Sequence, residues 1–229
     1  MSGKQEAQEW AETVRRYGGR NDLTYEPVGG INPKDGPVAL CVGGVNRLTG
    51  QLSEGFWGSS CDADEKEVGG FFGKAVVPTA VLAKAHMPDL ARVVPAFNVE
   101  SIEGHEVVTQ RFQRKVEFES IDFNRRFLTT VPSEYDPLAL RELFGPGFLS
   151  WVTTIGGEID FGVNDRQLWF LWRLGNERSE EELKAALKNA GQLFKRLQVE
   201  MEESGVHTYP PGPWHAGLEP FPDARPQSG

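Results

Sequence analysis

The stretch EIDFGVNDRQLWFLWRL, Glu158 to Leu174, decides the fold. Two apolar-rich runs, Glu158–Val163 and Gln167–Leu174, flank the turn cluster Asn164-Asp165-Arg166, which is the pattern of an antiparallel hairpin. Within the second run, Leu168-Trp169-Phe170-Leu171-Trp172 is apolar at odd and even positions alike. Side chains of a strand alternate between faces, so this run predicts a central strand covered on both sides.

Beyond the hairpin, Ser179-Glu180-Glu181-Glu182 forms a capping box, in which the Ser179 hydroxyl accepts from the amide three residues on and Glu182 reaches back. Leu183, Leu187, Ala190, Phe194, Leu197 and Met201 then recur every three or four residues, which predicts a long amphipathic helix to Ser204. The Pro-rich stretch from Tyr209 to Gly229 can continue neither helix nor strand. Residues 1–205 therefore read as a single domain and 206–229 as a partly disordered tail.

Working back from the hairpin, Asp136-Pro137 opens a helical segment carrying Leu138, Leu140, Leu143 and Phe144; Gly145-Pro146-Gly147 interrupts it, and Phe148, Leu149, Trp151 and Val152 resume it. Val116 to Val131 reads as one long β pattern. Earlier still come short stretches broken by Gly, Pro and Asn: Leu23–Val28, Val38–Val45, Gln51–Ser60, Phe71–Leu82 and Ala91–Phe97. They read as a strand meander, with a turn at Leu48-Thr49-Gly50-Gln51. Trp10, Val14 and Tyr17 place a helix over Glu6–Arg16 that Gly18-Gly19 stops. The sum is an α+β protein: an antiparallel β-sheet (meander plus hairpin) with an N-terminal helix, a middle helical segment and a long C-terminal helix packed on it.

Hydrophobic residues are 39% of the 229, enough for a core, and the net charge of −9 argues against nucleic acid as a partner. No apolar run approaches the roughly 20 residues that span a bilayer, so we expect no membrane insertion and a cytoplasmic location. If Leu48–Gln51 turns a hairpin, Cys41 faces position 57 and Cys61 lies about 13 Å further on, beyond disulfide reach. Both cysteines are then expected as thiols.

The search for chemistry is mostly negative. His105-Glu106 opens a zinc-protease motif without its second imidazole, and His86, His207 and His215 share no ligand spacing, so no metal and no cofactor are expected. Asp62-Ala63-Asp64-Glu65-Lys66-Glu67 fails the calcium-loop pattern and reads as a solvated acidic turn. No nucleophile elbow, phosphate loop or dinucleotide turn occurs. Phe56, Trp57, Phe71 and Phe72 could line a ligand groove, although such pairs are more often core. Strand alternation through Ile121, Phe123, Arg125 and Phe127 puts Arg125 on the apolar face, where a guanidinium needs a partner such as Asp136 or Glu158.

Glu119-Ser120-Ile121-Asp122-Phe123-Asn124-Arg125-Arg126-Phe127, Asp136-Pro137-x-Ala139, Gly145-Pro146-Gly147-Phe148-x-x-Trp151, the hairpin and the closing helix together are familiar. Over about residues 116–204 the chain resembles an uncharacterised bacterial domain-of-unknown-function family, common in high-GC bacteria and often membrane-tethered. That resemblance implies no catalytic residues, since no activity is established for the family. We expect a non-catalytic binding or scaffolding protein. The alternatives are a small-molecule hydrolase or ligand-binding enzyme using His86, His105, Glu106 and Asp122, and a subunit of a larger bacterial or phage assembly. In either non-enzymatic case the C-terminal helix or tail would contact a protein partner.

Overall fold

Alternating patterns broken by turn residues build strands, and the three-to-four-residue stripes build the helices that cover them. A computed structural model of the chain describes residues 3–28, 45–53, 56–70, 73–86, 96–102, 113–164, 167–175 and 178–203. The order is α1 (Gly3–Arg20), β1 (Thr24–Val28), β2 (Val45–Gln51), β3 (Trp57–Gly70), β4 (Gly73–His86), β5 (Phe97–Ser101), β6 (Gln113–Val116), α2 (Ile121–Arg126), β7 (Phe127–Pro132), α3 (Leu138–Leu143), α4 (Pro146–Thr154), β8 (Ile159–Asn164), β9 (Gln167–Arg173) and α5 (Glu180–Glu203). The strands form one antiparallel sheet in the order β1-β2-β3-β4-β9-β8-β5-β7-β6. The fold class read from the sequence is therefore the fold observed.

The hairpin of 158–174 closes with Asn164 opposite Gln167, and β9 stands fifth of the nine strands. Its central position is as expected. Its cover is not symmetrical: Leu168 and Phe170 are fully buried, whereas Trp169 and Leu171 are half-buried. The ladder register explains the difference. Tyr25, Leu48, Ser60, Ala83, Phe170, Phe161, Val99, Thr129 and Val116 stand side by side across all nine strands and share one face. Every strand residue of the hydrophobic core has the parity of that row, and the helices and connecting segments supply the rest of it, including Trp10, Phe123, Phe144, Phe148, Leu187 and Phe194. One sheet face packs the core.

Four sequence expectations need correction. First, α1 runs through Gly18-Gly19 to Arg20, and Gly18 lets the helix approach the sheet: a Cβ there would lie 2.7 Å from Leu48 Cδ2. Second, Leu48–Gln51 belong to β2 rather than to a turn: Gln51 pairs with Trp57 of β3, and the Leu52 amide donates to the Phe56 carbonyl at 2.8 Å. The Cys41 register lies outside the described residues; Cys61 is a buried thiol. Third, Asp62–Glu67 lies within β3, paired to β4, and is not a turn. Asp62 accepts from the Trp10 indole N–H at 2.8 Å and from the Asn46 amide at 2.7 Å, so it docks α1 onto the sheet.

The fourth concerns 116–131. Ser120, in extended conformation, accepts from the Phe123 amide at 3.3 Å and caps α2 between β6 and β7. A helical turn replaces the strand, and Arg125 swings out to solvent. Arg126 takes the structural part: its two terminal nitrogens donate to the Thr153 and Gly157 carbonyls at 2.7 and 2.6 Å, with the guanidinium 5.0 Å from the Phe127 ring centroid. Asp136 and Glu158 are not partners of Arg125. Asp136 accepts from the Leu138 amide at 2.9 Å, and a Glu158 oxygen lies 3.8 Å from Arg173 Nε. The capping box holds by half: Ser179 accepts from the Glu182 amide at 3.2 Å, but Glu182 accepts from Gly175 N–H rather than from Ser179.

Two outcomes follow for urea unfolding. Arg126→Ala removes two charge-assisted hydrogen bonds to carbonyls at the end of α4 and should cost about 2–4 kcal/mol, while Arg125→Ala should stay within about 0.5 kcal/mol. Leu187→Ala, beneath α5 on the packed face, should cost about 2–5 kcal/mol with no change in oligomeric state.

Candidate functional site

The second face of the sheet carries residues of the opposite parity, and its composition differs. Thr24, Thr49, Ser59, Lys84, Trp169, Gly162, Asn98, Thr130 and Lys115 stand opposite one another across all nine strands. This row is polar throughout apart from one indole and the glycine beside it. The indole lies across that glycine: a Cβ on Gly162 would meet Trp169 Cζ2 at 2.9 Å. Only glycine leaves room there for both the ring and the Phe97 carbonyl.

Toward β1 the second face is held by polar pairs. Arg47 is 0% exposed and donates from Nε to Glu26 at 2.7 Å, and the Thr49 and Ser59 hydroxyls are 2.9 Å apart. A neighbouring row places Cys61, Leu82, Leu171 and Asp160 in register. Asp160 accepts from the Ser101 amide at 2.9 Å and from an Arg173 nitrogen at 3.2 Å. Glu100 stands on the next strand at the same level, opposite Leu128. Burial pushes the Glu100 carboxyl above the ordinary carboxylate range, and the negative charge of Asp160 adds to the push.

At the β5–β7–β6 end the sheet opens into a pocket of about 270 Å³ lined by Asn98, Gln113, Thr130 and Glu134 and, from the core face, by Phe97 and Val131. Thr130 is 3% exposed, and its Oγ1 has no hydrogen-bond partner among the described residues. A buried hydroxyl left unpaired costs about 1–3 kcal/mol, and because Oγ1 is itself enclosed this cost is internal to the sheet.

The residues singled out from sequence do not converge. Asp122 is exposed in the first turn of α2, and His86 ends β4 with its backbone opposite Gln167. The strand that follows α2 stands four places from β4 in the sheet, about 19 Å. His105, Glu106, Phe71 and Phe72 lie outside the described residues. Phe56 and Trp57 part company: Phe56 packs edge-on against Phe194 of α5, with centroids 5.9 Å apart, while Trp57 is 52% exposed and shares the parity of Ser59. Among the described residues no group of three or more His, Cys, Asp or Glu is placed to hold a metal ion, and no helix is long and apolar enough to cross a membrane. Sequence reading missed Glu100, Asp160, Asn98 and Thr130; only the apolar parity break at Trp169 signalled that the second face was unlike an ordinary solvated one.

No family model and no curated protein matches the chain. Among solved structures, the fold is similar to the crystal structure of the mycobacterial trehalose monomycolate transport factor A, TtfA. The TM-score is 0.53 at 13% identity, over 83% of this chain and 95% of that one. At that identity the likeness is one of fold.

The Glu100 environment has a pH signature. Because its folded pKa lies above the unfolded value, protonated Glu100 favours the folded state, and this contribution is lost as pH rises from the ordinary glutamate value, about 4.3, through the raised one. Glu100→Gln should therefore be more stable than the parent at pH 7, with the difference vanishing below about pH 4 in thermal melts across pH.

Proposed function

We propose that this chain is a non-catalytic binding or scaffolding protein whose working surface is the second face of the sheet, and that it serves a transport process as an accessory factor. The observation that carries the reading is the division of labour between faces: the first takes the core, while the second presents half-buried Leu82, Lys84, Trp169 and Leu171. The likeness of fold to a protein titled a transport factor supports the direction of this reading. The separation of Asp122 from β4 weighs against a hydrolase built on the sequence candidates.

Deletion of the gene in its own organism, followed by complementation, tests it. A chain with His86→Gln, His105→Gln, Glu106→Gln and Asp122→Asn together should restore growth fully. One with Leu171→Asp, shown to be folded by its melting curve, should not. Failure of the folded fourfold variant would make the hydrolase reading the better one.

A further inference from the structure

We propose that the second face of the sheet docks a protein segment that presents a basic side chain, lysine or arginine, between apolar residues, and that Glu100 receives the cation. The inference rests on the reading of that face as a binding surface and adds the chemistry of the partner. Across the ladder, one row of the face reads Cys61, Leu82, Leu171, Asp160, Glu100 and Leu128. Leu128 stands one strand from Glu100 and Leu171 two strands away on the other side, about 5 and 10 Å. Leu82, Leu171 and Leu128 are all half-buried, so incompletely covered apolar side chains flank the carboxylates on both sides.

The charges in the row select the occupant. Asp160 and Glu158 both face Arg173, whose Nη2 lies 3.2 Å from Asp160 and whose Nε lies 3.8 Å from Glu158. Glu100, beside Asp160, has no hydrogen bond or ion pair among the described residues. Lys84 of the same face is three strands from it, about 14 Å, too far for a direct ion pair. Burial first, and the like charge of Asp160 second, make ionised Glu100 costly, and an incoming ammonium or guanidinium offsets both. A neutral apolar segment laid over the leucines would bury Glu100 without a counter-charge, and an acidic one would add repulsion. The net charge of −9 attracts the same class of partner from a distance.

NMR titration of the isotope-labelled full chain with capped pentapeptides decides the matter. The probes are acetyl-Gly-Leu-Lys-Leu-Gly-amide and the same peptide with norleucine or glutamate in place of lysine. Saturable shifts centred on Glu100, Leu128 and Leu171 are expected with the lysine peptide, with affinity about tenfold or more lower for norleucine and no binding of the glutamate peptide. Glu100→Gln should weaken the lysine peptide by a similar factor and leave the norleucine peptide no worse bound, a pairing of effects that a merely structural role for Glu100 would not produce. Its melting curve at pH 7 shows that the variant is folded. Absence of saturable binding by the lysine peptide, equal binding of the lysine and norleucine peptides, or an unchanged lysine-peptide affinity in folded Glu100→Gln would each overturn the proposal. Binding of n-butylammonium as tight as that of the lysine peptide would overturn it too, in favour of a small amine. The complementation result for Leu171→Asp reads the apolar part of the face and not its charge, so the basic partner can fail while the binding-protein reading survives.

Discussion

Phe144 is the residue on which the packing of the β5–β7–β8 half depends. Its ring lies 4.7 Å from Phe148, 5.3 Å from both Phe97 and Phe118, 6.2 Å from Phe161 and 6.4 Å from Phe123, centroid to centroid. One side chain thereby ties β5, β8, α2, α4 and the segment after β6. Backbone chemistry puts it there: Pro146 opens α4 and has no amide to donate, so α3 stops at Leu143 and Phe144 leaves the helix. Truncating a buried phenylalanine costs about 3–5 kcal/mol against a typical total stability of about 5–15 kcal/mol, so this hub is a large fraction of what holds the domain.

Because the aromatic hub, α1 and α5 all draw on the same sheet face, apolar burial is concentrated there, and the second face is organised by polar pairing. Arg47 with Glu26, Thr49 with Ser59 and Arg173 with Asp160 each satisfy groups that would otherwise be costly to bury. Polar pairs add little net stability but penalise any shift in register, since a one-residue slip would carry Arg47 into the core. The precision of the Trp169–Gly162–Asn98–Thr130 row rests on that penalty.

What could be read in the sequence was what has a local period or a local cap. The 158–174 hairpin, α5 and the Ser179 cap were legible because turn residues and three-to-four-residue spacing encode them directly. The 116–131 segment was misread because Ile121, Phe123, Arg125 and Phe127 satisfy a two-residue alternation by coincidence, while the determining bonds are polar. Ser120 caps α2, and Asn124 donates to the Phe118 carbonyl at 2.6 Å and accepts from its amide at 3.1 Å. The pocket was illegible for a different reason. Asn98 and Thr130 become neighbours only through the β5–β7 register, and β8 and β5, adjacent in the sheet, are distant in the chain.

The sheet ends at β1 and β6, and each terminal strand is unsuited to further strand addition. Pro27 in β1 has no amide to offer, and β6 is four residues long with Arg114 and Lys115 exposed. A second copy, or a misfolded neighbour, that tried to extend the ladder would meet a missing donor on one side and two cations on the other. Among the described residues, both terminal strands are therefore poor templates for a tenth.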